Sequence, residues 1–155
     1  MSYQLRGLEP GQFEPLFALD ETALAARGMR WMRADAPVGF PCRISLEDAP
    51  VGEWVLLLPF THQDSRSPYR ASGPIFVRRG RSEAARIVDV LPPYLTRRPL
   101  SVRAYDAADD MIDADIVDGR EAEPLIERYL ALGDANYLHI HFARRGCFAC
   151  RVERA

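Results

Sequence analysis

The side chains best suited to chemistry are concentrated near the end of the 155-residue sequence, in the segment NYLHIHFARRGCFACRVER. This segment, residues 136–154, holds two of the three histidines and two of the three cysteines. Imidazole and thiolate groups bind transition metals, transfer protons and act as nucleophiles. The neighbouring arginines favour anions, because one guanidinium can bind a carboxylate or phosphate through two hydrogen bonds. Three hypotheses follow from this composition.

The first hypothesis is a pocket for a small anionic ligand. One side of the pocket would be the histidine face of the terminal segment, and the other would be the polar stretch HQDSRSPYRASGP, residues 62–74. Polar stretches of this length are often binding loops when a compact domain retains them. The candidate ligand-binding residues are His62, Ser67, Tyr69, Ser72, His139 and Arg151.

The second hypothesis is an enzyme, and two arrangements are open. In one, Cys147 is the nucleophile and His141 its base, with the adjacent arginines favouring the thiolate. In the other, His62, His139 and His141 hold a catalytic zinc ion with an open water position. A four-thiolate structural zinc site is not expected, because Cys147 and Cys150 have no second closely spaced cysteine pair. Apart from zinc, no cofactor is predicted.

The third hypothesis is an interaction domain without catalysis. Its histidines would be ordinary polar residues on a half-exposed sheet, satisfied by neighbouring backbone and hydroxyl groups. Tyr137 and the two histidines that follow it would then lie on the surface of a homodimer.

The terminal segment has the alternation of a β-hairpin, in which successive side chains point to opposite faces. A three-residue loop, Arg144–Gly146, with glycine in the left-handed position, places the apolar residues of both arms on one face. This register pairs Ala143 with Cys147, His141 with Ala149, and His139 with Arg151. It predicts that one polar face carries His139, His141, Cys147 and Arg151.

The rest of the chain alternates short strands with short helices. Glu121–Leu132 has the clearest apolar stripe of a helix, and Asp20 is the predicted N-cap of another. Leu100–Asp106 and Ile112–Asp118 form a second predicted hairpin, which brings Arg103 opposite Asp115. Further strands are predicted at 3–8, 29–34, 42–46, 53–61 and 75–78. The sequence therefore predicts one α+β domain over residues 1–155, with a largely antiparallel sheet, three or four helices and a C-terminal β-hairpin.

Composition narrows the functional classes. The net charge is −2, and the 20 basic residues, all of them arginine, are spread along the chain, so no nucleic-acid partner is predicted. No apolar run approaches the ~20 residues of a membrane span. The N-terminus lacks the basic and apolar regions of a signal peptide, and three cysteines do not suggest a disulfide framework. We therefore expect a cytoplasmic protein with reduced thiols.

Three blocks of the sequence resemble a known family. These blocks are CRISLEDAPVGEWVLLLPF, SPYRASGPIFVR and HIHFARRGCFACRVER. They are similar to an uncharacterised bacterial family catalogued as domain of unknown function 1203. The resemblance implies a stand-alone bacterial domain, and it brings no activity, substrate or catalytic residue.

Overall fold

Most of the chain lies in two sheets. The computed structural model describes residues 1–155 and contains eleven strands: β1 (Tyr3–Arg6), β2 (Arg30–Arg33), β3 (Pro41–Cys42), β4 (Glu47–Asp48), β5 (Trp54–Gln63), β6 (Ala71–Val77), β7 (Arg86–Val88), β8 (Pro99–Tyr105), β9 (Met111–Asp118), β10 (Tyr137–Phe142) and β11 (Phe148–Arg154). A six-stranded sheet has the order β7-β1-β11-β10-β8-β9, and a five-stranded sheet has the order β2-β5-β6-β3-β4. Every pairing is antiparallel except that of β3 with β6.

The helices are short and lie between the strands. They are α1 (Glu14–Phe17), α2 (Glu21–Ala26), α3 (Pro93–Thr96) and α4 (Ala122–Leu130), with 3-10 turns at Pro10–Gln12 and Gly119–Glu121. The predicted α+β class, the four helices and the C-terminal hairpin are confirmed. The predicted N-cap is also present, because the Asp20 carboxylate accepts a hydrogen bond from the Ala23 amide at 2.8 Å. No helix has the length and apolar character needed to cross a membrane.

The main core lies on one face of the six-stranded sheet. Helix α4 contributes its apolar stripe, including Ile126 and Leu130, and the sheet contributes alternate residues such as Val102, Leu138 and Ile140. Alternation along β10 consequently directs His139 and His141 to the opposite face, toward the five-stranded sheet. A second cluster of eight buried residues fills the space between that sheet and the N-terminal helices.

The hairpin formed by β10 and β11 follows the predicted register over only part of its length. His139 pairs with Arg151 as predicted, but the register shifts by one residue after Ile140, so that His141 pairs with Phe148. Ala149 is the extra residue, which makes this a β-bulge. Beyond the bulge, the Phe142 amide donates to the Cys147 carbonyl at 2.9 Å. The predicted pairs of His141 with Ala149 and of Ala143 with Cys147 are therefore wrong.

The bulge changes the faces of the two residues that precede it. The Phe148 ring lies against the histidines, although the sequence placed it with the main core. Cys147, which the sequence placed on the histidine face, lies instead on the other face, where its half-buried side chain packs at the edge of the main core. A one-residue slip exchanges the two faces of a strand, so the sequence pattern was misleading at the tip of the hairpin.

Two further predictions need correction. In the β8–β9 hairpin, Arg103 pairs with Ala114, and Asp115 lies opposite Val102, so the register is one residue away from the predicted one. The polar stretch after β5 is also shorter than predicted. Strand β5 continues through Gln63 and β6 begins at Ala71, which leaves residues 64–70 as the connection.

Candidate functional site

A cavity of about 590 Å³ lies where the turn of the β10–β11 hairpin meets the five-stranded sheet. Strands β2, β3, β5 and β6 contribute to its wall, together with the segment that joins α3 to β8. Its volume is within the range of small-molecule sites. No aspartate or glutamate lines it, whereas six arginines do: Arg30, Arg43, Arg97, Arg98, Arg144 and Arg145.

The positive charge of this cavity is only partly neutralised. The Asp48 carboxylate, with its side chain 3% exposed, forms ion pairs with Arg98 and, at 3.4 Å, with Arg97. The other four lining arginines have no carboxylate within 4.0 Å. Grouped charges of one sign in a cleft with low-dielectric walls raise the local concentration of counter-ions. This cavity therefore favours anions.

Arg43 is the most unusual of these arginines because it is only 1% exposed. Its Nε donates to the Phe148 carbonyl at 2.7 Å and its Nη1 donates to the Pro41 carbonyl at 2.6 Å. The guanidinium also faces the Phe142 ring at 5.1 Å from the centroid. These contacts fix the orientation of the side chain, but neutral carbonyls leave its charge uncompensated.

The remaining wall of the cavity is apolar. The guanidinium of Arg98 lies over the same Phe142 ring, at 4.8 Å from its centroid. Other apolar side chains on the wall are Met32, Leu57, Ile75 and Phe76. A wall with a few fixed polar groups on an apolar surface is typical of sites for small organic molecules.

A second cluster of candidate side chains lies on the histidine face of the six-stranded sheet. His62, from the end of β5, meets His139 and His141 of β10, with ring centroids 6.2 Å and 4.8 Å from its own. His139 and His141 are 6.3 Å apart. Phe148 packs on all three rings, at centroid distances of 5.0–5.8 Å.

Burial keeps these imidazoles neutral. Desolvation lowers the pKa of His139 to about 2, and the charges of Arg151 and Arg103 act in the same direction. Desolvation also lowers the pKa of His141 to about 3, although the hydrogen bond to the Gly146 carbonyl opposes this shift. The pKa of His62 is lowered by burial and by Arg103 as well. Because these shifts disfavour the cationic forms, the cluster has three uncharged rings at neutral pH.

Comparison with known proteins identifies a family for the chain. Residues 39–154 match the family described as protein of unknown function, DUF1203. The chain belongs to the DUF1203 family. No curated protein and no solved structure matches it. The matched region contains all three histidines and five of the six cavity arginines, since only Arg30 precedes it.

In this DUF1203 protein, the residues of the proposed thiolate pair lie in different places. Cys147 lines the arginine cavity, and His141 lies in the histidine cluster with Phe148 beside it. The bulge at Ala149 is the physical reason, because it turns Cys147 away from the histidine face. The structure therefore does not bring these two side chains together on one face.

The predicted ligand-binding residues are only partly brought together. His62 and His139 meet in the histidine cluster. The Ser67 hydroxyl donates to Asp110 at 2.7 Å, the Ser72 hydroxyl bonds to Thr61 at 2.8 Å, and Tyr69 is exposed. None of these residues lines the 590 Å³ cavity.

Arg151, the last of the predicted ligand-binding residues, already has partners within the chain. Its guanidinium lies 3.8 Å above the Tyr137 ring, and its Nε donates to Glu153 at 2.7 Å. Tyr137 itself is 2% exposed, accepts a hydrogen bond from Gln63 and donates one to Asp109. Because Tyr137 and the two histidines are buried within the chain, they do not form the exposed dimer surface of the third hypothesis. A homodimer through other residues stays a prediction.

Sequence reasoning missed the arginine cavity. Its arginines come from four separate parts of the chain, and their meeting depends on how the two sheets pack. The available signal was two of the three double arginines in the sequence, Arg97-Arg98 and Arg144-Arg145, each beside the end of a predicted strand.

Proposed function

We propose that this protein binds a small organic anion in the arginine cavity. The observation that supports this most strongly is the state of Arg43, a fully buried guanidinium whose hydrogen bonds go to carbonyl groups and not to a carboxylate. A buried charge without a counter-charge is costly, so such groups are normally paired. A ligand with a carboxylate or phosphate group in the cavity would supply the missing charge.

The wall of the same cavity indicates that the ligand also has an apolar part. The apolar wall formed by Leu57, Ile75, Phe76 and Phe142 would cover a hydrocarbon or aromatic part. Arg144 and Arg145, on the exposed hairpin turn, stand at the side of the cavity that faces solvent. An organic carboxylate or phosphate ester is therefore a better match than a bare inorganic ion. This proposal keeps the ligand class expected from the sequence and changes the residues that bind it.

Isothermal titration calorimetry with phenyl phosphate tests the proposal, because this probe combines an aromatic ring with a phosphate group. Inorganic phosphate and the neutral benzyl alcohol serve as comparisons, since each carries only one of the two features. We expect phenyl phosphate to bind more tightly than either, and more weakly as the salt concentration rises.

The test variant is Arg144→Gln combined with Arg145→Gln, because both side chains are exposed and neither makes an ion pair. If each contributes about 1.4 kcal/mol, the double variant binds phenyl phosphate roughly a hundredfold more weakly. Arg66→Gln is the matched control, since Arg66 is an exposed arginine that does not line the cavity. Equal affinity of the wild type and the double variant, or no binding of phenyl phosphate at all, would contradict the proposal.

A further inference from the structure

The histidine cluster contains three hydrogen-bonding atoms that have no partner. These are Nδ1 of His62, Nδ1 of His139 and Nε2 of His141, and each of them is buried. The His139 and His141 side chains are 3% and 1% exposed. Leaving a buried polar atom unpaired costs about 1–3 kcal/mol, so three in one cluster require an explanation.

The hydrogen bonding of His141 shows which of its nitrogens is free. Its Nδ1 lies 2.8 Å from the Gly146 carbonyl oxygen, and a carbonyl can only accept a hydrogen bond. Nδ1 therefore carries the proton, and Nε2, which is buried and has no hydrogen-bond partner, has a free lone pair. A histidine that donates one ring N–H to a backbone carbonyl and offers the other nitrogen is the usual arrangement of a metal ligand.

We propose that His62, His139 and His141 bind one divalent transition metal ion of the zinc class. Three neutral imidazoles are a ligand set that zinc accepts, and metal binding requires unprotonated nitrogens. The unpaired nitrogens come from two strands that belong to different sheets, so one ion would join the sheets at this point. This site is separate from the arginine cavity and does not depend on the function proposed for it.

The ring separations show how far the cluster is from a coordinating geometry. A zinc ion about 2.0–2.1 Å from an imidazole nitrogen lies roughly 3.2 Å from the ring centroid, so tetrahedral coordination places two centroids about 5.2 Å apart. The His62–His141 distance of 4.8 Å is close to this value. His139, at 6.2 and 6.3 Å from the other two rings, is about 1 Å too far away.

The structure accordingly contains no group of three or more His, Cys, Asp or Glu side chains placed to hold a metal ion. Binding requires the His139 ring to move inward by about 1 Å, which is within the reach of a side-chain adjustment on a fixed strand. Cysteine ligands are not part of the proposal. Cys42 and Cys150 are buried in the two cores, and Cys147 lines the arginine cavity.

Cobalt titration of protein without a polyhistidine tag tests this site, after the protein has been stripped of metal with a chelator. Tetrahedral Co²⁺ absorbs visible light, so binding is followed directly, and Zn²⁺ is then added to displace it. We expect saturation at one ion per chain and displacement by one equivalent of Zn²⁺. Absence of a saturable visible band, or a stoichiometry other than one, would overturn the proposal.

His62→Gln is the most informative variant, because His62 is the least buried of the three and its replacement is the least disruptive to folding. We expect it to weaken Co²⁺ and Zn²⁺ binding by at least a hundredfold, while circular dichroism of the metal-free protein stays unchanged. Cys147→Ser is the matched control and should bind like the wild type. Unchanged binding in His62→Gln, or lost binding in Cys147→Ser, would place the metal elsewhere and refute the inference.

Discussion

Because His139 and His141 are buried, we predict that the metal-free protein becomes less stable in mild acid. His139 and His141 are neutral in the folded state, with pKa values lowered to about 2 and about 3. In the unfolded chain each imidazole has a pKa of about 6.5. Below that pH the unfolded state binds protons that the folded state does not bind. The free energy of unfolding therefore falls as the pH decreases from 6.5 toward the folded-state values.

The expected size of this effect follows from the two pKa values. Between pH 7.5 and pH 5.0, each of these histidines lowers the free energy of unfolding by about 2 kcal/mol, and the two together by about 4 kcal/mol. His62 acts in the same direction. Since small domains have about 5–15 kcal/mol of total stability, the loss is easily measured. The pKa of Glu153 is also lowered. A lowered carboxylate pKa reduces the free energy of unfolding only below the unfolded-state pKa of about 4.3, which is outside this window.

Urea unfolding of chelator-treated protein at several pH values measures this loss. The arginines that face the two histidines, Arg103 and Arg151, do not titrate in this range, whereas His62, which also faces them, adds to the loss. His139→Gln should therefore make the loss between pH 7.5 and pH 5.0 smaller by about 2 kcal/mol, because one protonation site is removed. Equal stability of the wild type at both pH values would show that the rings are accessible to protons in the folded state. That result would refute the reasoning from burial.

Two further predictions concern packing and buried hydrogen bonds. Gly119→Ala should destabilise the fold by more than about 3 kcal/mol, because the added Cβ would lie 2.0 Å from the Leu95 carbonyl oxygen. Gly133→Ala is the control: its added Cβ would have no neighbouring atom within 4 Å, so thermal unfolding should be nearly unchanged. Tyr137→Phe removes a hydroxyl with two hydrogen bonds, including one from Gln63 at 2.9 Å, and should cost about 1–3 kcal/mol in urea unfolding. A Gly133→Ala variant as unstable as Gly119→Ala, or an unchanged Tyr137→Phe, would contradict these assignments.

The sequence predicted elements well where the pattern was local. The N-cap at Asp20 and helix α4 follow from spacing within a few residues, and the pairing of His139 with Arg151 follows from alternation across one short turn. Registers were less predictable, because a single bulge shifts a whole arm without changing composition. The second sheet and the cavity depend on contacts between distant segments, and no local pattern encodes them. The meeting of His62 with His139 was proposed from residue types, and only the structure gives its geometry.

The bulge at Ala149 makes one residue common to both candidate sites. The Phe148 ring packs on the three imidazoles, while its backbone carbonyl accepts the hydrogen bond that orients Arg43 toward the cavity. The two contacts use different parts of Phe148, so a side-chain change can separate them. Phe148→Leu keeps the carbonyl and most of the apolar volume but removes the ring. It should leave phenyl phosphate affinity within about twofold of the wild type and change Co²⁺ binding at the histidines. Loss of phenyl phosphate binding in this variant would mean that Arg43 is held by the aromatic packing as well as by the backbone.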